Sequence, residues 1–146
     1  VAMLLAVLER RGGLPVGSCD AFVSTVGGVR VAEPAADLAI ALAMASALLD
    51  RPIPAGTIAV GEVGLAGEVR QVAGVPRRLA EARRIGFERA VVPAGSFATG
   101  RGSPGRGGLA PRSVGPVTSD HGVPAGMAVI EVANVAQAAH LVLAAP

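Results

Sequence analysis

The stretch Thr57-Ile58-Ala59-Val60-Gly61-Glu62-Val63-Gly64-Leu65-Ala66-Gly67-Glu68-Val69-Arg70 decides the fold. Residues 57–60 are mostly β-branched or small and apolar, the composition of a buried strand. Residues 61–70 then read as strand, glycine turn, strand.

Working outward toward the N-terminus, Pro34 begins a helix that runs to about Leu49. Proline is well tolerated in a first turn, and Asp37 suits the positive end of the helix dipole. The helix is apolar nearly all round, which predicts burial against a sheet and another layer. Residues 51–54 form a stiff, proline-rich connector. Toward the C-terminus, residues 76–85 read as an amphipathic helix ended by Gly86, and residues 90–93 as a strand. Further out, residues 2–11 read as a helix with Met3, Leu4, Val7 and Leu8 on one face. Residues 21–26 read as a strand, Gly27-Gly28 as a turn or bulge, and residues 29–31 as a short extended run. Glycine, proline and serine dominate residues 97–124, which read as a long loop. A strand at 127–132 and a helix at 135–143 complete an α/β (α+β) order with a mixed sheet.

The chain has 146 residues, the size of one domain, and is 51% apolar but only 2% aromatic. A closely packed core of Ala, Val and Leu follows. Cys19 is the single cysteine, so neither an internal disulfide nor a cysteine-based zinc site is possible; a cytoplasmic setting is expected. The apolar run at 38–49 is too short to cross a bilayer and is bounded by Asp37 and Asp50. The chain begins at Val1 without a basic leader and reads as a piece of a longer protein. Net charge is +2, too small to argue nucleic-acid binding by itself. Every basic side chain is arginine and lysine is absent. Neither Gly27-Gly28 nor the glycines of 61–67 have P-loop spacing, and a P-loop needs a lysine, so no ATP site is expected.

Three ordered motifs carry a family resemblance. The first is Gly27-Gly28-Val29-Arg30-Val31-Ala32-Glu33-Pro34-Ala35-Ala36-Asp37-Leu38-Ala39, and the second is the 61–70 stretch. The third is Arg78-Leu79-Ala80-Glu81-Ala82 followed by Gly86-Phe87 and Val91-Val92-Pro93. Together they resemble the C-terminal, Lon-protease-like domain of the RadA (Sms) family of bacterial DNA repair proteins, well over about residues 2–93 and loosely over 127–143. The resemblance implies a Lon proteolytic-domain-like fold of ribosomal-protein-type two-layer topology. It places Ala35 where Lon proteases carry the nucleophilic serine, and Pro76 where they carry the general-base lysine. A Ser-Lys mechanism needs both groups, so the resemblance implies a degenerate protease site and no enzyme activity in this chain. The stretch after residue 94 departs from the family pattern.

The resemblance further implies a non-catalytic scaffold of a hexameric ring that touches DNA, single-stranded or branched, through its backbone. Zinc, ATP and magnesium would belong only to the N-terminal part of the family's longer proteins, which would be DNA-dependent ATPases. The candidate DNA-binding residues are Arg30, Arg70, Arg77, Arg78 and Arg84. Residues 68–89 hold six arginines, Arg83 and Arg89 among them, against Glu68, Glu81 and Glu88. An arginine repeated around a ring becomes a belt suited to phosphate. On the helix, Arg77 and Glu81 have the spacing of an ordinary i,i+4 pair. Two alternatives stay open. One is a peptidase rewired around another serine, such as Ser119 beside Asp120-His121. The other is an interaction module of a different Lon-like ATPase family, such as the magnesium-chelatase-like competence proteins. His140 reads as a partly exposed helix residue, and no metal site is expected.

Overall fold

A computed structural model of the chain describes residues 1–17, 19–24, 30–97, 115–116 and 122–143. Among the described residues, four α-helices form: α1 (Ala2–Arg10), α2 (Asp37–Leu49), α3 (Val75–Arg84) and α4 (Val135–Leu143). Six strands accompany them: β1 (Thr57–Ala59), β2 (Glu62–Val63), β3 (Val69–Arg70), β4 (Arg89–Pro93), β5 (Gly115–Pro116) and β6 (Ala128–Val132). The main sheet has the order β1-β4-β6-β5. β1 and β6 both run parallel to β4, and β5 is antiparallel to β6, so the sheet is mixed as expected. β2 and β3 form a separate hairpin with Glu62 opposite Arg70 and Val63 opposite Val69.

Strand β4 explains the layering. Ala90, Val91, Val92 and Pro93 are all buried, the pattern of a strand covered on both faces. Val91 and Val132 pack with α1, α2 and α4. Ala90, Val92 and Val129 pack instead with Val75, Leu79 and Ala82 of α3. The sheet therefore lies between helices on both sides. This corrects the two-layer topology expected from the resemblance: a strand with four successive buried apolar residues after Arg89 has no face left for solvent.

Helix α2 enters through a 3-10 turn at Pro34–Ala36. The Gly61 N–H donates to the Ala35 carbonyl at 2.9 Å, and the Leu38 N–H donates to the Gly61 carbonyl at 3.0 Å. Asp37 Oδ2 accepts from the Val63 N–H at 3.4 Å. These bonds pin the start of α2 to the link between β1 and the hairpin. α2 buries Leu38, Ala41, Leu42 and Ala45. Its opposite side carries the exposed Ala43, Ala47 and Leu49, so burial all round, expected from its composition, is not found. The outer residues are mostly alanines, whose methyl groups lose little by meeting water.

Residues 21–24 are not in a strand, contrary to expectation, and Phe22 is 94% exposed. An extended apolar segment becomes a strand only beside a partner, and none pairs with it among the described residues. The rest of that expected strand, Thr25 and Val26, and the Gly27-Gly28 turn lie outside the described residues, as does most of the expected 97–124 loop. Within that loop, Gly115–Pro116 pairs with Ile130 and Glu131 of β6. No helix is long and apolar enough to cross a membrane among the described residues.

Candidate functional site

Helix α3 is the element that gathers charge. Val75, Leu79 and Ala82 fix one side against the sheet, so the residues between them must face away. Arg77, Arg78 and Arg84 thereby line one shallow depression, together with Ala73, Gly74, Glu81 and Ile58 at the sheet edge. Three of the five candidate arginines are brought together. Arg70 is not among them: it belongs to the hairpin, which packs through Val63 and Val69 on the α2 side of the sheet. Arg30 is exposed and stands three residues before Glu33.

Most of these cations already have a carboxylate partner. Arg70 donates to Glu68 through Nη2 at 2.5 Å and through Nε at 3.0 Å, and reaches Glu62 at 3.3 Å. Arg84 grips Glu81 with two bonds, at 2.6 and 2.9 Å. The expected Arg77–Glu81 pair is thus replaced by Arg84–Glu81, because a guanidinium three residues on can engage both carboxylate oxygens. Arg78 pairs with Glu33, and its Nε donates to the Ala73 carbonyl at 3.1 Å. Arg77 and Arg30 make no ion pair among the described residues. Arg83 and Arg89 donate to the Ala125 and Ala55 carbonyls, which satisfies an N–H without cancelling the charge.

The pairs leave a protonation signature. The Glu68 carboxyl is held below the usual glutamate range by its own backbone N–H and then by the Arg70 guanidinium. Glu81 is lowered by its hydrogen bonds from Arg84. Arg70 and Arg84 are raised in return. All four side chains lie at the surface, so these shifts carry little stability.

The two positions that the resemblance matches to a protease dyad sit on segments that meet. Ala35 is buried in the 3-10 turn, and Pro76 lies in the first turn of α3. The Glu33–Arg78 pair joins the two segments across 45 residues of sequence. At these positions the chain offers a methyl group and a pyrrolidine ring, neither of which is nucleophilic or basic. Among the other serines, Ser46 Oγ donates to the Arg51 carbonyl and Ser96 Oγ to the Pro93 carbonyl. Ser18, Ser103, Ser113, Ser119 and His121 lie outside the described residues. His140 is exposed on α4, as expected. No group of three or more possible metal ligands occurs among the described residues.

Two acids, Glu33 and Glu131, have contacts that sequence reasoning missed. Glu33 and Arg78 are too far apart for any local spacing rule to pair them. Glu131 is buried, and one of its carboxylate oxygens accepts from the Phe97 N–H at 3.1 Å. An acid between Ile130 and Val132 in an apolar strand was the available signal, since such a group needs a buried donor.

Comparison with known proteins adds the context. The family described as subunit ChlI of Mg-chelatase matches residues 27–96. A DNA repair protein RadA from Mycolicibacterium smegmatis is 56% identical over 94 residues, 64% of this chain and 20% of that protein. The Escherichia coli K12 protein of the same name is 55% identical over 94 residues, with the same shares. That of Pseudomonas aeruginosa is 52% identical over 96 residues, 66% of this chain and 21% of its own. Over nearly two thirds of its length the chain is thus similar to bacterial proteins named DNA repair protein RadA, and it spans about a fifth of theirs.

Proposed function

We propose that this chain is a non-proteolytic, Lon-like domain of a RadA-type DNA repair protein, and that it holds the phosphate backbone of DNA through the outer face of α3. The observation that carries the proposal is its similarity, above half identity, to proteins named for DNA repair. The gathering of Arg77, Arg78 and Arg84 on one open surface supports it. Such a surface is shallow and rich in guanidinium groups. It suits a polyanion better than a small enclosed ligand, and contact with phosphates reads no sequence. In a ring each copy would repeat the patch, which turns one modest charge cluster into a continuous track. Self-association into a hexamer belongs to this same reading, as do an ATPase core and a zinc motif elsewhere in a longer protein.

The test is binding of a labelled single-stranded oligonucleotide across a salt series. Arg77→Ala should weaken binding and flatten its salt dependence by about 0.7 in the logarithmic slope, the loss of one phosphate contact. An unchanged slope removes Arg77 from the proposal.

A second reading, an interaction module of a magnesium-chelatase-like ATPase, is favoured by the family match over residues 27–96. The class of ATPase encoded beside this domain separates the two. The rewired peptidase has less support. Ala35→Ser would restore a hydroxyl, but the chain contains no lysine to activate it. Neither the natural chain nor that variant should label with a fluorophosphonate.

A further inference from the structure

The geometry points to Glu33 as an electrostatic mask on the α3 surface: it occupies Arg78 until a phosphate displaces it. This inference rests on reading α3 as a phosphate-contacting face, and it names how that face is regulated.

Four carboxylate pairs cover three of the candidate arginines, but they differ in kind. Arg70 pairs within its own hairpin, and Arg84 pairs with a residue one helical turn before it. Such local pairs travel with their element and report nothing beyond it. Arg78–Glu33 alone among them joins two elements distant in sequence. The Arg78 side chain is 37% exposed and that of Glu33 54%, so solvent and ligands reach both. One edge of the guanidinium is fixed on the Ala73 carbonyl, and the carboxylate takes another. A phosphate oxygen and a carboxylate oxygen demand the same planar fork of donors. They therefore compete for one site. The pair is exposed, so exchanging its carboxylate for a phosphate costs little, and the outcome depends on the local concentration of phosphate.

Displacement has a second consequence. Glu33 leads directly into Pro34 and the 3-10 turn that starts α2. Its bond to Arg78 is the one side-chain tie of residues 30–33 among the described residues. A phosphate that captures Arg78 also releases this segment. Contact at α3 is in this way coupled to the chain entering the α2 layer, on the other side of the sheet.

The experiment measures binding of a fluorescent oligo-dT by the full chain across a salt series. It compares the natural chain with Glu33→Gln, Glu9→Gln, Arg78→Ala and the Glu33→Gln/Arg78→Ala double variant. Glu9→Gln makes the same change in net charge on α1, in the layer opposite α3, and serves as the charge control. Glu33→Gln should bind about fivefold more tightly at low salt, as expected for removing one adjacent charge. Its logarithmic salt slope should stay near that of the natural chain, because displacement gives both complexes the same phosphate contact. Glu9→Gln should match the natural chain, and the double variant should lose the gain. Circular dichroism checks that each variant folds. Binding by the natural chain with no gain in Glu33→Gln, or with an equal gain in Glu9→Gln, overturns the mask and leaves the phosphate surface standing. No binding by any variant, Glu33→Gln included, removes the phosphate surface and the mask together.

Discussion

At the scale of single residues, the molecule is a study in arginines and the acids that hold them. The Glu68–Arg70 contact makes the sharpest residue-level prediction. The folded Glu68 carboxyl titrates below its unfolded value. Its contribution to stability is therefore present above the unfolded glutamate pKa and is lost as pH falls through the lowered folded value. A carboxyl-carbon NMR titration should find the Glu68 midpoint below that of an unstructured glutamate. Arg70→Ala should raise it, though not fully, because the backbone N–H remains. A midpoint indifferent to Arg70 would mean that the pair does not persist in solution. Because the pair is exposed, the same substitution should leave the melting temperature nearly unchanged. Glu131 behaves differently. It is buried with the Phe97 N–H as its donor, so Glu131→Ala orphans a buried N–H and opens a gap. A loss of about 1–3 kcal/mol in urea unfolding is expected, and a loss below the error of the measurement would show that the Phe97 bond does not hold that corner.

Elements were legible where local chemistry alone determines them. The bounds of α4 and the place of α3 follow from apolar spacing and from the glycine beyond the helix end. The 61–70 hairpin follows from its glycines, and Gly61 shows why the residue type matters there. A Cβ at Gly61 would lie 2.8 Å from Val69 Cγ1, and 3.4 Å from both Leu38 Cδ2 and Pro93 Cγ. The glycine thus lets the main chain press between α2, β3 and β4. Gly61→Ala should cost about 1–3 kcal/mol, the range for overpacking a filled site, and equilibrium urea unfolding would measure it. A neutral result would mean that Val69 moves aside freely. Residues 21–24 were misread for the complementary reason. Strand propensity speaks to a residue's fit on a pleated surface, and it says nothing of whether a partner strand stands beside it. The all-round apolar character of α2 misled in the same way, since alanine is tolerated on either face of a helix. The ion pairs were only half legible: spacing nominated Glu81 as a partner but gave it to Arg77 where the structure gives it to Arg84, and no spacing rule reaches from Glu33 to Arg78.

Across the whole molecule, the placement of cations follows from the three layers. Composition and motif order indicated a mixed α/β sheet. They did not reveal that β4 is buried on both faces, with α3 the one helix on its side of the sheet among the described residues and α1, α2 and α4 opposite. Arg77 and Arg84 belong to that isolated layer, whereas Arg70 belongs to the hairpin on the other side. The two groups therefore make different predictions, although the sequence ranks them equally. Arg77 has no carboxylate partner among the described residues, so its charge is available to a phosphate at no prior cost. Arg70 must first give up contacts with two glutamates. A polyanion lying along α3 should consequently feel Arg77→Ala strongly and Arg70→Ala weakly. In a salt series with single-stranded DNA, the slope should fall by about 0.7 for Arg77→Ala and remain near that of the natural chain for Arg70→Ala. The reverse ranking would move the contact surface from α3 to the hairpin. Equal, full effects from both would require a nucleic acid that wraps the sheet edge, with Ile58 and β1 beneath it.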